Sequence, residues 1–330
     1  MVSGDSSKKI GIVIPVLNDW ESLARLVRQL DEQAKSSKLD FHILIVDDGS
    51  LRIPNLDCLS TCNLQLIRLC SNLGHQRAIA VGLVVASQTE QIEAVVVMDA
   101  DGEDRPEDVL RLVAAWREEK SRVIVAYRGE RSEGLAFKFS YAIYKIAFRI
   151  VTGKKIDFGN FCLLPRGPLQ ALTFNPSIWN NLAAAITRSQ IPRRGIRVDR
   201  GSRLAGKSRM DFEGLVIHGV SAMAVYADVV LLRILFGAGM LAGFVALAIA
   251  GVVAIRFGTD WAIPGWASYL AASFIIILLQ ALLISAIALF QLMSLRNVKT
   301  FIPALDAMSF VLGTPITIAS RTPSSSKKSA

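Results

Sequence analysis

Asp99 and Asp101 stand one residue apart where an apolar run, Val95 to Met98, gives way to Asp-Ala-Asp-Gly-Glu-Asp, ending at Asp104. The run reads as a buried strand. Two carboxylates so spaced at its end can both reach one divalent cation, directly or through a bound water. Hard oxygen ligands suit Mg²⁺ or Mn²⁺, which keep open positions for substrate phosphates. Standing alone, the stretch reads first as an acidic surface turn; three further segments change its weight.

Ile14-Pro15-Val16-Leu17-Asn18 closes another strand pattern, a place where backbone groups around Pro15 can border a nucleotide. Ile45-Val46-Asp47-Asp48-Gly49-Ser50 ends a second one in two carboxylates and a tight turn, able to accept from a base N–H or a ribose hydroxyl. Asn72-Leu73-Gly74-His75-Gln76-Arg77 opens a helix whose first N–H groups, with Arg77, favour an anion. Base reader, sugar reader, phosphate support and cation are the parts a nucleoside diphosphate requires. His75, at a helix start with no partner in sequence, reads as a polar surface residue.

The elements that must position these groups alternate in period. Strand patterns at Lys9–Val16, Phe41–Val46, Leu64–Leu69, Ala94–Met98 and Arg122–Ala126 are separated by helical patterns at Asp19–Gln33, Arg77–Ala86 and Pro106–Glu119. Asn18 or Asp19 is the expected N-cap of the first helix. Such alternation implies an α/β fold with a mostly parallel sheet covered on both faces. Ligands collect at the carboxyl ends of strands in these sheets, where three of the motifs fall.

The chain has 330 residues and a formal charge of +9. Ile234 to Ile255 and Gly265 to Leu295 carry no charge, and each exceeds the ~20 residues that cross a bilayer as a helix. A two-span hairpin follows, and two such runs in succession weigh against a buried core helix. Lys8-Lys9 leads into a strand pattern rather than a signal peptide. Arg233, Arg296 and Lys299 flank the spans, which places the large domain in the cytoplasm and the protein in the inner, cytoplasmic membrane. The positive balance fits anionic lipid or anionic substrates, and no nucleic-acid recognition motif accompanies it. The four cysteines lack zinc-ligand spacing and read as free thiols. Gly239 and Gly243 form a G-x-x-x-G that serves either the hairpin itself or a homo-oligomer.

Taken together the four motifs, in this order and spacing and with the terminal hairpin, resemble the family-2 glycosyltransferases of GT-A fold. They are most similar to the polyprenyl-phosphate group that includes dolichol-phosphate mannose synthase. The resemblance covers almost the whole chain. It implies a base-contacting role for Asp47 with Asp48 supporting that loop, and ribose and metal contacts for Asp99 and Asp101. It implies phosphate-side roles for Arg128 and Arg131. Gly159-Asn160-Phe161-Cys162 falls where the family has G-D-F-R, so Asn160 replaces a carboxylate and Cys162 an arginine. Arg200, Arg203, Ser208 and Arg209 match a late basic loop, expected to clamp an acceptor phosphate.

The expected activity is transfer of one sugar from a nucleotide diphosphate sugar to a polyprenyl phosphate, with inversion implied by the resemblance alone. An already anionic acceptor needs little or no general base. A lipid hydroxyl acceptor is the alternative, and would draw a base from Asp104 or the Glu103–Glu107 stretch. A degenerate membrane scaffold, motivated by positions 160 and 162, is the other. The expected organisation is a catalytic domain over 1–210 with an interfacial helix near 135–152. A juxtamembrane helix over 211–228, spans within 229–296 and a tail over 297–330 complete it.

Overall fold

The computed structural model describes residues 9–52, 63–128, 146, 148–154, 157–205, 219–259 and 265–319. The chain divides into two units. The first comprises Met1–Leu135, Ile156–Val225 and Phe301–Ala330; the second comprises Ala136–Lys155 and Tyr226–Thr300.

The first unit is built on one eight-stranded sheet. Its strands are β1 (Lys9–Val16), β2 (Phe41–Asp47), β3 (Asn63–Arg68), β4 (Ile92–Val97), β5 (Val123–Arg128), β6 (Cys162–Pro165), β7 (Arg193–Val198) and β8 (Ile316–Ala319), in the order β7-β5-β6-β4-β1-β2-β3-β8. Only β6 and β8 run against the rest. The expected α/β architecture is present, with α1 (Trp20–Ser37), α2 (His75–Gln88) and α3 (Pro106–Glu118) between the parallel strands. Two short helices, α4 (Arg166–Thr173) and α5 (Leu182–Arg188), follow β6.

Period-2 alternation sends successive β1 side chains to opposite faces. Ile12 and Ile14 join Leu23, Leu26 and Leu30 of α1, whereas Val13 packs with α2 on the other side. Helix α2 is buried almost all round, and Gly82 is where it approaches the sheet most closely. A Cβ there would lie 2.5 Å from Val13 and 2.9 Å from Val46.

The segment after Thr300 is where the architecture departs from expectation. It is no appendage: Pro303–Asp306 (α8) starts a return path along β3. Cys70 N–H donates to the Phe310 carbonyl (2.9 Å), Leu312 N–H to the Arg68 carbonyl (2.8 Å), and β8 then pairs antiparallel with Leu64–Leu66. Phe301 and Phe310 stack with Trp179, the rings of Trp179 and Phe301 lying 4.2 Å apart. The physical reason is the edge of β3, whose open backbone groups and apolar side chains need a partner. The Ser/Lys tail after Arg321 lies outside the described residues.

In the second unit α6 (Ala227–Gly258) and α7 (Trp266–Asn297) pack along their lengths. Only 17 % and 11 % of their most apolar stretches are buried, far too little for core helices. The buried positions recur every seven residues, Ala238, Val245 and Val252 on one helix and Ala281 and Ala288 on the other, the spacing of a packed seam. Gly239 and Gly243 lie off that seam, with no neighbour within 4 Å of an added Cβ. Of the helix expected near 135–152, the described residues 148–152 are helical. Phe148 meets Tyr226 edge to face at 6.0 Å, and Arg233 donates to the Ile150 carbonyl.

Candidate active site

Strand registers bring the motifs together. Val16 is opposite Asp47 and Val13 opposite Val97, so the Pro15, Asp47 and Asp99 segments leave the sheet side by side. Antiparallel β6 pairs Cys162 with Val97, and that register continued by two residues sets Asn160 beside Asp99. Parallel β7 pairs Val198 with Arg128, which delivers the Arg200–Arg203 loop to the same sheet edge.

Asn18 and Ser50 fasten the first two loops to each other. Asn18 N–H donates to the Ser50 hydroxyl (2.8 Å), and its side chain accepts from Leu51 N–H (3.0 Å). Asp47 is buried, and its Oδ1 accepts from Ser50 N–H at 2.9 Å. The Asp48 carboxylate accepts from Leu73 N–H (2.7 Å) and Gly74 N–H (3.0 Å), so it fixes the loop that opens α2. Burial pushes its pKa up, and those two backbone bonds hold part of the rise back. Asp48→Ala leaves two N–H groups without that acceptor and is expected to cost ~1–3 kcal/mol, read as a lowered thermal midpoint.

The Asp99–Asp101 turn is held by its own neighbours. Asp104, buried, accepts from Asp99 N–H at 3.0 Å, and Asp101 Oδ1 accepts from Glu103 N–H at 3.0 Å. Gly102, at φ +85°, carries the turn over Leu204, which a Cβ would strike at 2.4 Å. Burial and the Asp99 charge push the Asp101 carboxyl above the usual carboxylate range; Glu103 N–H and Arg203 only partly offset them. Two mutually repelling carboxylates of this kind fit a divalent cation. Among the described residues no third His, Cys, Asp or Glu joins them as a ligand group, so the remaining ligands would come from diphosphate and water.

Arg200 forms an ion pair with Glu103, its Nε donating at 2.9 Å. Arg203 Nη1 lies 3.3 Å from Asp101 Oδ2, and Nη2 donates to Asp19 Oδ2. The expected phosphate clamp therefore rests on the acidic turn. Arg77 goes elsewhere, its guanidinium 5.7 Å from the Trp179 ring centre. Arg131, Ser208 and Arg209 lie outside the described residues, as does the Arg128 side chain.

Two further side chains join this cluster. The half-exposed His75 places Nε2 3.2 Å from Asp99 Oδ1 and 3.2 Å from Asn160 Nδ2, while Gln76 donates to Asn160 Oδ1 at 3.1 Å. Nε2 accepts from Asn160 when neutral and donates to Asp99 when protonated. Its surroundings desolvate the ring, but Asp99 outweighs this and, with Asp48 and Asp101, raises the imidazole pKa. Asp19 is the other; it occupies the α1 cap position but makes no side-chain cap bond, facing Ser22 and Arg203 instead. No spacing signal reveals either, because their contacts with Asn160 and Arg203 span 85 and 184 residues. Cys162 is buried within β6, where desolvation and then Asp104 push its thiol pKa up. It is a core residue.

Residues 11–170 match the Glycosyl transferase family 2 profile. These residues are a family-2 glycosyltransferase domain, and the protein is a glycosyltransferase. It is 26 % identical over 269 residues to the uncharacterized glycosyltransferase YkcC of Bacillus subtilis (strain 168), covering 78 % of this chain and 80 % of that one. It is 27 % identical over 274 residues to the undecaprenyl-phosphate 4-deoxy-4-formamido-L-arabinose transferase of Salmonella choleraesuis (strain SC-B67), with the same coverage. Glucosyl-3-phosphoglycerate synthase from Mycobacterium tuberculosis, a solved structure, aligns at a TM-score of 0.49 and 13 % identity, covering 68 % of this chain and 80 % of that one.

Proposed function

We propose that the protein moves one sugar from a nucleotide diphosphate sugar to a polyprenyl phosphate at the cytoplasmic face of the inner membrane. The observation that carries this reading is the seating of Arg200 and Arg203 on the Asp99–Asp101 turn. Basic and acidic side chains meet there in a chain with two membrane-length helices, which supports a site for a cation and a phosphate. The undecaprenyl-phosphate transferase relative supports the acceptor class.

In this mechanism Asp99 and Asp101 would hold Mg²⁺ or Mn²⁺, which would offset charge on the diphosphate. Asp47 and the Pro15 backbone border the base and ribose, and Asp48 keeps the α2 loop in register. The Arg200–Arg203 loop, with Ser208 and Arg209, holds the acceptor phosphate; Arg128 and Arg131 steady phosphate oxygens. A phosphate oxygen attacks the anomeric carbon, its bond to the nucleotide diphosphate breaks, and the diphosphate leaves with the electron pair. The nucleophile is already an anion, so the protein's contribution is position and charge. Asn160 preserves a hydrogen-bonding side chain beside Asp99 without a charge.

A lipid hydroxyl acceptor would need a base, and the stretch expected to supply one is otherwise engaged. Asp104 is buried on Asp99 N–H, Glu103 pairs with Arg200, and Glu107 pairs with Arg105. The deciding experiment incubates the full-length protein in detergent with Mg²⁺ or Mn²⁺, undecaprenyl phosphate and a panel of UDP- and GDP-sugars. One donor is expected to add one sugar to the lipid by mass. Glycosylation of an added diacylglycerol in preference to the phosphate would overturn the acceptor assignment.

A further inference from the structure

Arg203 engages the site with all three of its nitrogens. Nε donates to the Ala205 carbonyl (2.9 Å), Nη1 to Asp101 Oδ2 (3.3 Å) and Nη2 to Asp19 Oδ2. Asp19 is secured from behind, its Oδ1 accepting from the hydroxyl of fully buried Ser22 at 2.7 Å; that hydroxyl also lies 3.3 Å from the Ala205 carbonyl. The strap carrying Arg203 is tied to the acidic turn through its backbone as well. Leu204 N–H donates to the Asp101 carbonyl and Gly201 N–H to the Glu103 carbonyl, both at 2.9 Å. Gly201 is needed there, because a Cβ would come within 2.5 Å of the Gly102 carbonyl oxygen.

We infer that Arg203 is a shared counter-ion, exchanged from Asp101 to the acceptor phosphate when a divalent cation binds, with Asp19 as the positioning residue that retains it. This deepens the proposed function and rests on its reading of the site as one for a cation and a phosphate. A guanidinium and a divalent cation compete for the same Asp101 oxygen, and the doubly charged ion wins at short range. Displacement frees Nη1 while Nη2 remains on Asp19, so the arginine stays in place with N–H groups open to a phosphate. The exchange runs both ways: a phosphate that draws Arg203 off Asp101 clears that oxygen for the cation. Cation and phosphate therefore bind with reciprocal positive linkage.

The test uses full-length protein in detergent without any sugar donor. Free Mn²⁺ is counted by its paramagnetic resonance signal, with decyl phosphate as probe and decanol as control. Decyl phosphate is expected to tighten Mn²⁺ binding about five-fold or more, a typical coupling between sites, and decanol to leave it unchanged. Arg203→Met should bind Mn²⁺ more tightly alone and lose the coupling; Asp19→Asn should keep Mn²⁺ binding and lower the coupling. UDP, whose diphosphate ligates the ion itself, should tighten Mn²⁺ in every variant and so reports an intact site. Coupling that persists in Arg203→Met, or unchanged Mn²⁺ affinity in that variant, overturns the exchange. Lack of coupling in the wild type with glycolipid still formed overturns the exchange alone. Lack of both overturns the acceptor reading beneath it.

Discussion

Asp101→Ala is expected to lower sugar transfer about a thousand-fold or more while the protein still folds. The carboxylate is one of the two proposed to hold the cation, and its Oδ1 also shapes the turn through Glu103 N–H. Asn at this position keeps the turn bond and removes the charge, so Asp101→Asn separates the two roles. The sign of the stability effect follows from the raised pKa, caused first by burial and then by Asp99. A raised carboxyl contributes stability below the ordinary carboxylate range and loses it as pH rises through the elevated value. At neutral pH without a cation, Asp101→Asn should therefore melt at or above the wild-type temperature. Excess Mn²⁺ should raise the wild-type midpoint by ligand linkage and leave the variant where it was. Transfer at near wild-type rates in the variant would remove Asp101 from the mechanism.

A chain stopped at Lys299 is expected to fail more severely, in folding rather than in chemistry. It loses β8, the bonds from Cys70 and Leu312, and both phenylalanines stacked on Trp179. Burial of two phenylalanine rings is worth roughly 3–6 kcal/mol when complete, against a typical domain stability of about 5–15 kcal/mol. The exposed edge would be β3, whose Leu64, Leu66 and Ile67 are buried in the intact sheet. A bare apolar edge pairs with other chains. Aggregation in size-exclusion chromatography is therefore expected even in detergent that keeps the full-length protein dispersed. A monodisperse truncation with an unchanged melting temperature would show that the returning segment is dispensable.

What the sequence revealed follows from period. Strands β1 to β5 are apolar runs between turn signals, and α1 to α3 have helical spacing, so both were legible within a few residues. Strand β6 was not, because Cys162–Pro165 is only four residues long and ends in proline. Strand β7, Arg-Arg-Gly-Ile-Arg-Val, is an edge strand with all but Val198 at least partly exposed, and it lacks the apolar signature. Strand β8 did leave a trace, Ile-Thr-Ile-Ala after Gly313 and Pro315, but the membrane runs before it made the segment read as a tail. That Asp47, Asp48, Asp99 and Asp101 lie at or after strand ends was legible from the apolar runs before them. The contacts of His75 with Asp99 and Asn160, and of Asp19 with Arg203, were not, since only the folded sheet brings those partners near.

The returning strand also imposes an order on biosynthesis. Strand β3 is made before both long apolar helices, whereas its partner β8 leaves the ribosome only after them. Translation of Tyr226–Thr300 alone takes roughly 4–15 s at ~5–20 residues per second. During that interval the nascent domain carries an unpaired apolar edge. Its completion is thus timed to follow emergence of the membrane segment, and a chaperone or the insertion machinery would meet the protein with β3 still open.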